Sequence, residues 1–285
     1  MLAKRIGLFD VINVALMAVI VFVTAFPIYY MFVVSISSGT AVMRGDVMFW
    51  PKGINFDAYR LVLQDSAILH AYGNTIKYTL IGVTVNLIFT TLCAYPLSRR
   101  QLYGRSMLTV LIIFTMFFDG GLIPRYMVVH SLGLVNTIWA LFLPTAINVF
   151  YMILMRTFFS NIPEEIHESA TMDGAGEWRK LVRIVLPLSM PVMATMIIFY
   201  SVHHWNSFFP ALIYLNDKSL QPLQIILRNI VIDGDMAEQS AEMVTIVAQN
   251  FKYAFVIVAI TPILAVYPFL QRCFVQGAML GAVKG

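Results

Sequence analysis

Nine charged side chains interrupt an otherwise apolar run between Arg156 and Arg183: Arg156, Glu164, Glu165, Glu168, Asp173, Glu177, Arg179, Lys180 and Arg183. Each would cost about 3 kcal/mol at the centre of a membrane span, so this segment lies outside hydrocarbon. The chemistry it offers is docking rather than bond-breaking. Asn161 can cap a helix, and Glu164 stands three residues on, at capping-box spacing. Pro163 suits a first turn, and Glu164 and Glu165 favour the positive end of the helix dipole. Ile162, Ile166 and Ala170 then share one face, at i, i+4 and i+8. Gly174 stops the helix. A second helical stretch is predicted from about Glu177 to Val185, with Pro187 and Pro191 marking entry into the next apolar run. A helix this short is not stable alone and must pack on something. The pattern leaves open whether that is its own bundle, lipid headgroups or another protein.

No catalytic constellation accompanies it. The sequence has no GxxxxGK phosphate loop, no HExxH and no GxSxG, so we read the chain as a non-enzyme whose ATP, if any, is bound by a different chain. His203 and His204 are adjacent, so one helix face does not present both to a metal, and no metal site is expected. Cys93 and Cys273 lie in apolar runs without metal-ligand spacing and read as small hydrophobes. The 17 methionines read as apolar filler. Basic residues sit beside apolar spans and form no stripe, which excludes nucleic acid as a partner.

The elements that must hold these residues are membrane helices. The 285 residues are 59% hydrophobic and only 12% charged, about half the charge of a soluble domain. Six stretches are long and apolar enough to span a bilayer: Val11 to Ile36, Thr75 to Leu97, Ser106 to Ile123, Thr137 to Met155, Leu186 to Tyr200 or beyond, and Phe251 to Phe274. The first is too long for a signal-peptide core and is read as retained. The predicted fold class is therefore all-α, a polytopic membrane protein with six transmembrane helices in a single domain, 1–285. Placing the N-terminus inside puts 11 Lys and Arg on inner segments and 8 on outer ones. The bias is sharpest in the short loop with Arg99, Arg100 and Arg105, so both termini are expected to be cytoplasmic. Three loops are long: an external one from Ser37 to Asn74, the internal one at 156–187, and an external one at 216–250. The last turns acidic at Asp233, Asp235, Glu238 and Glu242, and its Ile225 to Ile232 run suggests an ordered surface.

The internal loop reads Glu168-Ser169-Ala170, three residues, Gly174, nine residues, Ile184-Val185-Leu186-Pro187. This resembles the EAA loop of binding-protein-dependent ABC importer permeases, with Ser169 replacing the family's second alanine. Ser is also small, so close approach of a partner stays possible. Asp173-Gly174-Ala175 looks like the loop of the carbohydrate-uptake class. The stretches Leu122-Ile123-Pro124 and Leu132-Gly133-Leu134-Val135-Asn136-Thr137, the pair Trp205-Asn206 and the ending Gly281-Ala282-Val283-Lys284-Gly285 also fit that class. Phe118 to Pro124 is most similar to the LplC-type branch of these MalG/LplC-type permeases, whose members are linked to larger or acidic glycan fragments, including alginate oligosaccharides. The likeness covers nearly the whole chain and is weakest in the two external loops.

The resemblance implies a type I importer permease of the bacterial inner membrane, with Glu164 to Asp173 as a cytoplasmic coupling helix seated in a cleft of an ATPase. The ATPase-contact residues would be Glu164, Glu165, Glu168, Ser169, Ala170, Asp173, Gly174 and Ala175. Implied partners are a second, different permease subunit, two ABC ATPases carrying ATP and Mg, an extracytoplasmic sugar-binding protein reached by the 216–250 loop, and the bilayer. A sugar pathway calls for inward polar and aromatic groups; candidates are Asn86, Asp119, Asn148, Tyr151, Tyr200, His203, Trp205 and Asn206. Asn86 and Asn148 serve equally as interhelical hydrogen-bond glue, and Tyr and Trp at span ends as interfacial belt residues. The rival readings are an ABC permease for a non-sugar solute and an ion-coupled transporter. The span middles nearly lack ionisable groups, which disfavours the latter.

Overall fold

The computed structural model describes residues 7–237 and 250–265, and every regular element among them is helical. The predicted features at Lys4, Arg5, Glu238, Glu242, Arg272, Cys273 and Gly281 to Gly285, together with the side chains of Asp233 and Asp235, lie outside the described residues. The helices are α1 (Leu8–Ser35), α2 (Gly39–Met43), α3 (Asp57–Gln64), α4 (Ser66–Ser98), α5 (Arg105–Phe117), α6 (Leu122–Ser131), α7 (Trp139–Phe142) and α8 (Val149–Ser160). They continue with α9 (Glu164–Met172), α10 (Glu177–Lys180), α11 (Leu186–Leu188), α12 (Met190–Trp205), α13 (Phe209–Tyr214), α14 (Leu223–Ala237) and α15 (Asn250–Ala265).

Two of these helices, α1 and α4, are long and apolar enough to cross a membrane unaided. Three bent pairs pass the same test only together, which makes five spans if each pair is one. The sixth predicted span is helical over Asn250–Ala265 and then leaves the described residues. Three predicted spans are thus broken rather than straight. The third bends by 112° between α5 and α6. Gly121, at φ +83°, makes that reversal in a conformation that side chains resist, and the Asp119 carboxylate accepts its N–H at 3.0 Å. The fourth bends by 56° between the turn ending at Thr145 and α8. Pro144 withholds a donor there, and Asn148 restarts the helix by accepting the Tyr151 N–H at 3.1 Å. The fifth bends by 83° at Ser189, between the flanking Pro187 and Pro191.

The chain divides into two compact units. One holds α1–α3 with most of α14 and α15. No described residue covers the most apolar stretch of α1, the surface expected of a helix facing lipid. The C-terminal end of α1 is anchored instead: Val33 and Val34 pack with Val47, and Ser35 Oγ shares a 2.7 Å hydrogen bond with Tyr59 OH. The other unit runs from His70 to Ile225. Its core gathers Met152, Met155, Phe159, Met196, Tyr200, Leu181, Val185 and Leu97 from α4, α8, the 181–185 turn and α12. Methionine fills the irregular space between these crossing helices, and Thr90 Oγ1 meets Tyr200 OH at 2.7 Å inside it.

At one end of this unit α4 clamps the turn before α14. His70 Nε2 and Asn74 Nδ2 donate to the Ser219 carbonyl at 2.9 and 2.7 Å, and Tyr78 OH donates to the Leu220 carbonyl at 2.9 Å. The Leu223 N–H reaches Thr75 Oγ1 at 2.8 Å.

Candidate functional site

The other end of α4 organises the internal loop. A helix leaves its last four carbonyls without intrahelical donors, and here all four are met. Ser98 Oγ turns back to Tyr95 O at 2.6 Å, and the Arg99 N–H reaches Pro96 O at 3.1 Å. From α8, Arg156 Nε donates to Leu97 O at 3.1 Å, and Ser160 Oγ to Ser98 O at 3.4 Å. Two side chains then hold the loop down. The Arg99 guanidinium pairs with Glu164 through both Nη atoms, at 2.8 and 3.3 Å. Tyr95 OH donates to Glu177 Oε2 at 2.7 Å, and Lys180 Nζ donates to Glu177 Oε1 at 2.7 Å. The Lys180 hydrogen bond, followed by that from Tyr95, holds the Glu177 carboxyl below the usual carboxylate range.

Between these anchors runs α9. Its start differs from the capping-box reading. The N–H groups of Asn161 and Ile162 still donate back to Phe158 and Phe159 at 3.1 and 3.3 Å, so Asn161 ends α8 instead of starting α9. Pro163 takes the cap position, and the Glu164 carboxylate is spent on Arg99. The rotation of the helix also differs. The inward edge is His167 and Ala170, while Ile166 is 37% exposed. The bidentate pair at the first turn sets that rotation. The stop at Gly174 has the expected form: φ is +72°, its N–H donates to Thr171 O at 2.9 Å, and the Ala175 N–H donates to Ala170 O at 2.9 Å. Those two bonds make a Schellman termination. The second stretch is helical from Glu177 but widens into a π turn over Leu181–Val185.

The result is a short rod pinned at both ends. Glu165, Glu168, Ser169 and Met172 form its exposed outer face, and Asp173 and Gly174 are exposed at its tip, with Ala175 half-buried beyond them. Ser169 Oγ bonds back to Glu165 O at 2.8 Å, so it projects no free hydroxyl length from that face. His167 was not anticipated. It is 2% exposed, and its Nδ1 has no hydrogen-bond partner. Burial first, then the positive charge of Arg99, lowers its pKa.

The pathway candidates separate into two groups. Asn148, Tyr151, Tyr200 and His203 line one cavity of about 320 Å³, where α5, α6, the break before α8 and α12 meet. Tyr151 packs against Phe199 and Tyr200 there, with ring centroids 5.3 and 5.1 Å apart. Tyr200 itself is 1% exposed, more wall than contact surface. The other four lie elsewhere. Asn86 is buried, donates to Thr145 O and Ala146 O at 2.6 and 2.9 Å, and meets His204 Nε2 through Oδ1 at 2.5 Å. It supplies the carbonyls that the α7–α8 bend sets free, the glue reading made specific. Trp205 is buried edge-on to Tyr72, and Asn206 ends α12, its Nδ2 on Val202 O at 2.9 Å. Asp119 lines an adjoining cavity of about 450 Å³, paired with Arg125. Arg125 was missed: it lines both cavities, and its six-residue separation from Asp119 matches no helical pairing rule.

The comparisons with known proteins agree with this architecture. Residues 4–279 match the model of the family described as binding-protein-dependent transport system inner membrane component. The chain is 42% identical to Protein LplC of Bacillus subtilis (strain 168) over 280 residues, covering 97% of this chain and 95% of that one. It is 40% identical over 283 residues to the polygalacturonan/rhamnogalacturonan transport system permease protein YtcP of the same strain, covering 98% and 99%. A chain in the crystal structure of a bacterial ABC transporter involved in the import of the acidic polysaccharide alginate superposes with a TM-score of 0.86, at 33% identity, over 95% of this chain and 98% of that chain. The protein belongs to the family of binding-protein-dependent transport system inner membrane components, and is a multi-helix permease of the ABC importer type.

Proposed function

We propose that the chain is the permease subunit of an ATP-driven importer that carries an oligosaccharide, of the acidic kind handled by its relatives, inward across the bacterial inner membrane. The observation that carries this reading is α9, anchored to α4 by Arg99–Glu164 and closed by Gly174, with Glu165, Glu168, Ser169 and Met172 left facing outward. A firmly seated rod with an open face is what a motor on another chain needs in order to push a membrane helix. ATP and Mg are held by two partner ATPases, and hydrolysis occurs there rather than in this chain. A second, different permease completes the pathway. Both termini are cytoplasmic, and residues 216–250 face the extracytoplasmic binding protein. The names of YtcP and of the alginate transporter support an acidic polysaccharide fragment as cargo.

The test is uptake by the full complex in proteoliposomes, together with disulfide trapping of Ser169→Cys against single cysteines in the ATPase cleft. Trapping and ATP-dependent uptake are expected. Uptake driven by an ion gradient, with no ATPase required, would sink the reading.

A further inference from the structure

The 320 Å³ cavity has an electrostatic character that no spacing in the sequence reveals. Among the described residues that line it, Arg125 and His203 are the side chains able to carry positive charge, and none is a carboxylate. Arg125 stands in the first turn of α6, just beyond the Gly121 bend, on the wall between this cavity and its 450 Å³ neighbour. Its Nη2 donates to Asp119 Oδ2 at 2.5 Å, and Asp119 Oδ1 accepts from Gly121. Asp119 lines the neighbouring cavity and is not among the residues that line this one. Among the described residues Asp119 is the one hydrogen-bond partner of the Arg125 guanidinium. A guanidinium has five N–H donors in a fork that suits a carboxylate, so most of them stay available toward the carboxylate-free side. The pair is also well hydrated, its side chains 46% and 60% exposed. A uronate on Arg125 therefore adds one negative charge to a pair that is neutral at rest, and the displaced Asp119 carboxylate, already 60% exposed, is taken up by water. Around it, the Tyr151 ring offers an apolar face of the kind sugar rings pack on, and Asn148 and His203 offer polar groups.

We propose that Arg125 is the specificity-determining residue for an acidic sugar unit: in this cavity it exchanges the Asp119 carboxylate for the carboxylate of a uronate. The assignment rests on the oligosaccharide-import reading above and adds the residue that reads the charge. A carboxylate passing from hydration to Arg125 is held by charge-assisted hydrogen bonds, while Asp119 keeps its Gly121 bond and returns as the uronate leaves.

The test is uptake by the reconstituted complex of an oligogalacturonate and of its methyl ester, which has the same rings without the charge. Arg125→Gln is expected to lower the ratio of acid to ester uptake about tenfold or more, and Arg125→Lys by less. Asp119→Asn, which frees the guanidinium, is expected to lower the KM for the acid. If Arg125→Gln fails to assemble with its partners, Arg125→Lys and Asp119→Asn decide. An unchanged acid-to-ester ratio, or a raised KM for the acid in Asp119→Asn, overturns the proposal. Wild-type uptake of both sugars at equal rates also overturns it and leaves the importer reading standing. Uptake of neither removes the oligosaccharide reading and this assignment with it.

Discussion

The Arg99 guanidinium grips the Glu164 carboxylate through two nitrogens, at 2.8 and 3.3 Å, and so ties the end of α4 to the first turn of α9. The Arg99 side chain is 11% exposed and that of Glu164 37%. Removing the Glu164 carboxylate leaves the Arg99 charge with little water to replace it. Glu164→Gln should cost about 1–2 kcal/mol of stability and loosen α9. A double-mutant cycle with Arg99→Ala, read by thermal unfolding and by stimulated ATPase activity, measures the coupling. Additive effects would show that the pair does not seat the helix.

At Gly174 the backbone decides. A Cβ added there meets nothing within 4 Å, yet φ is +72°. Gly174→Ala should therefore cost about 1 kcal/mol, from conformation alone. Gly174→Asn should cost less. Gly174→Pro, which forces φ to about −65° and deletes the N–H that reaches Thr171, should abolish ATPase assembly. Co-purification of the ATPase with each variant checks the order.

Gly82 presents the opposite case. A Cβ there would stand 2.5 Å from His204 Nε2, the atom that meets Asn86. Gly82→Ala should displace His204, disturb the Asn86 bridge to Thr145 and Ala146, and cost about 2–4 kcal/mol. Gly73→Ala, in the same helix with open space around it, is the control and should change the melting temperature little. Equal behaviour of the two variants would argue against the bridge.

His167 gives a pH dependence. Its pKa is lowered below 6.5 by burial and by Arg99, so the folded protein binds that proton less readily than the unfolded chain does. Its contribution to stability is complete above about pH 6.5 and is lost as pH falls below that value toward the depressed pKa. Melting curves between pH 7.5 and 5 should show this loss, and His167→Gln should flatten it. Glu177, whose carboxyl is held low by Lys180 and Tyr95, adds a loss of the same sign only at more acidic pH.

The stop at Gly174, the second helical stretch and the long apolar elements were legible in the sequence because each is a local property of backbone freedom or composition. The breaks in three spans were half legible. Pro144, Pro187 and Pro191 were visible as residues, but whether a proline kinks or ends a helix depends on who receives the freed carbonyls. Asn86, 59 residues away from Thr145, is that receiver. The start of α9 was misread because Asn161 satisfies a capping rule that the preceding helix had already overruled. Its inward edge was read correctly at Ile162 and Ala170 but not at Ile166, which is exposed while His167 is buried in its place. Arg99 itself was counted only for orientation. Arg125 had no periodic partner to give it away.

The helix from His70 to Ser98 spans about 43 Å at 1.5 Å per residue. One extremity grasps the carbonyls of Ser219 and Leu220, and the other carries Glu164, Glu177 and the tail of α8. It is a connecting rod with a bearing at each tip. On the function proposed above, α4 joins α9 directly to residues 218–221, without the intervening chain. On that reading, the length and stiffness of this one helix govern how movement at α9 is passed to residues 218–221.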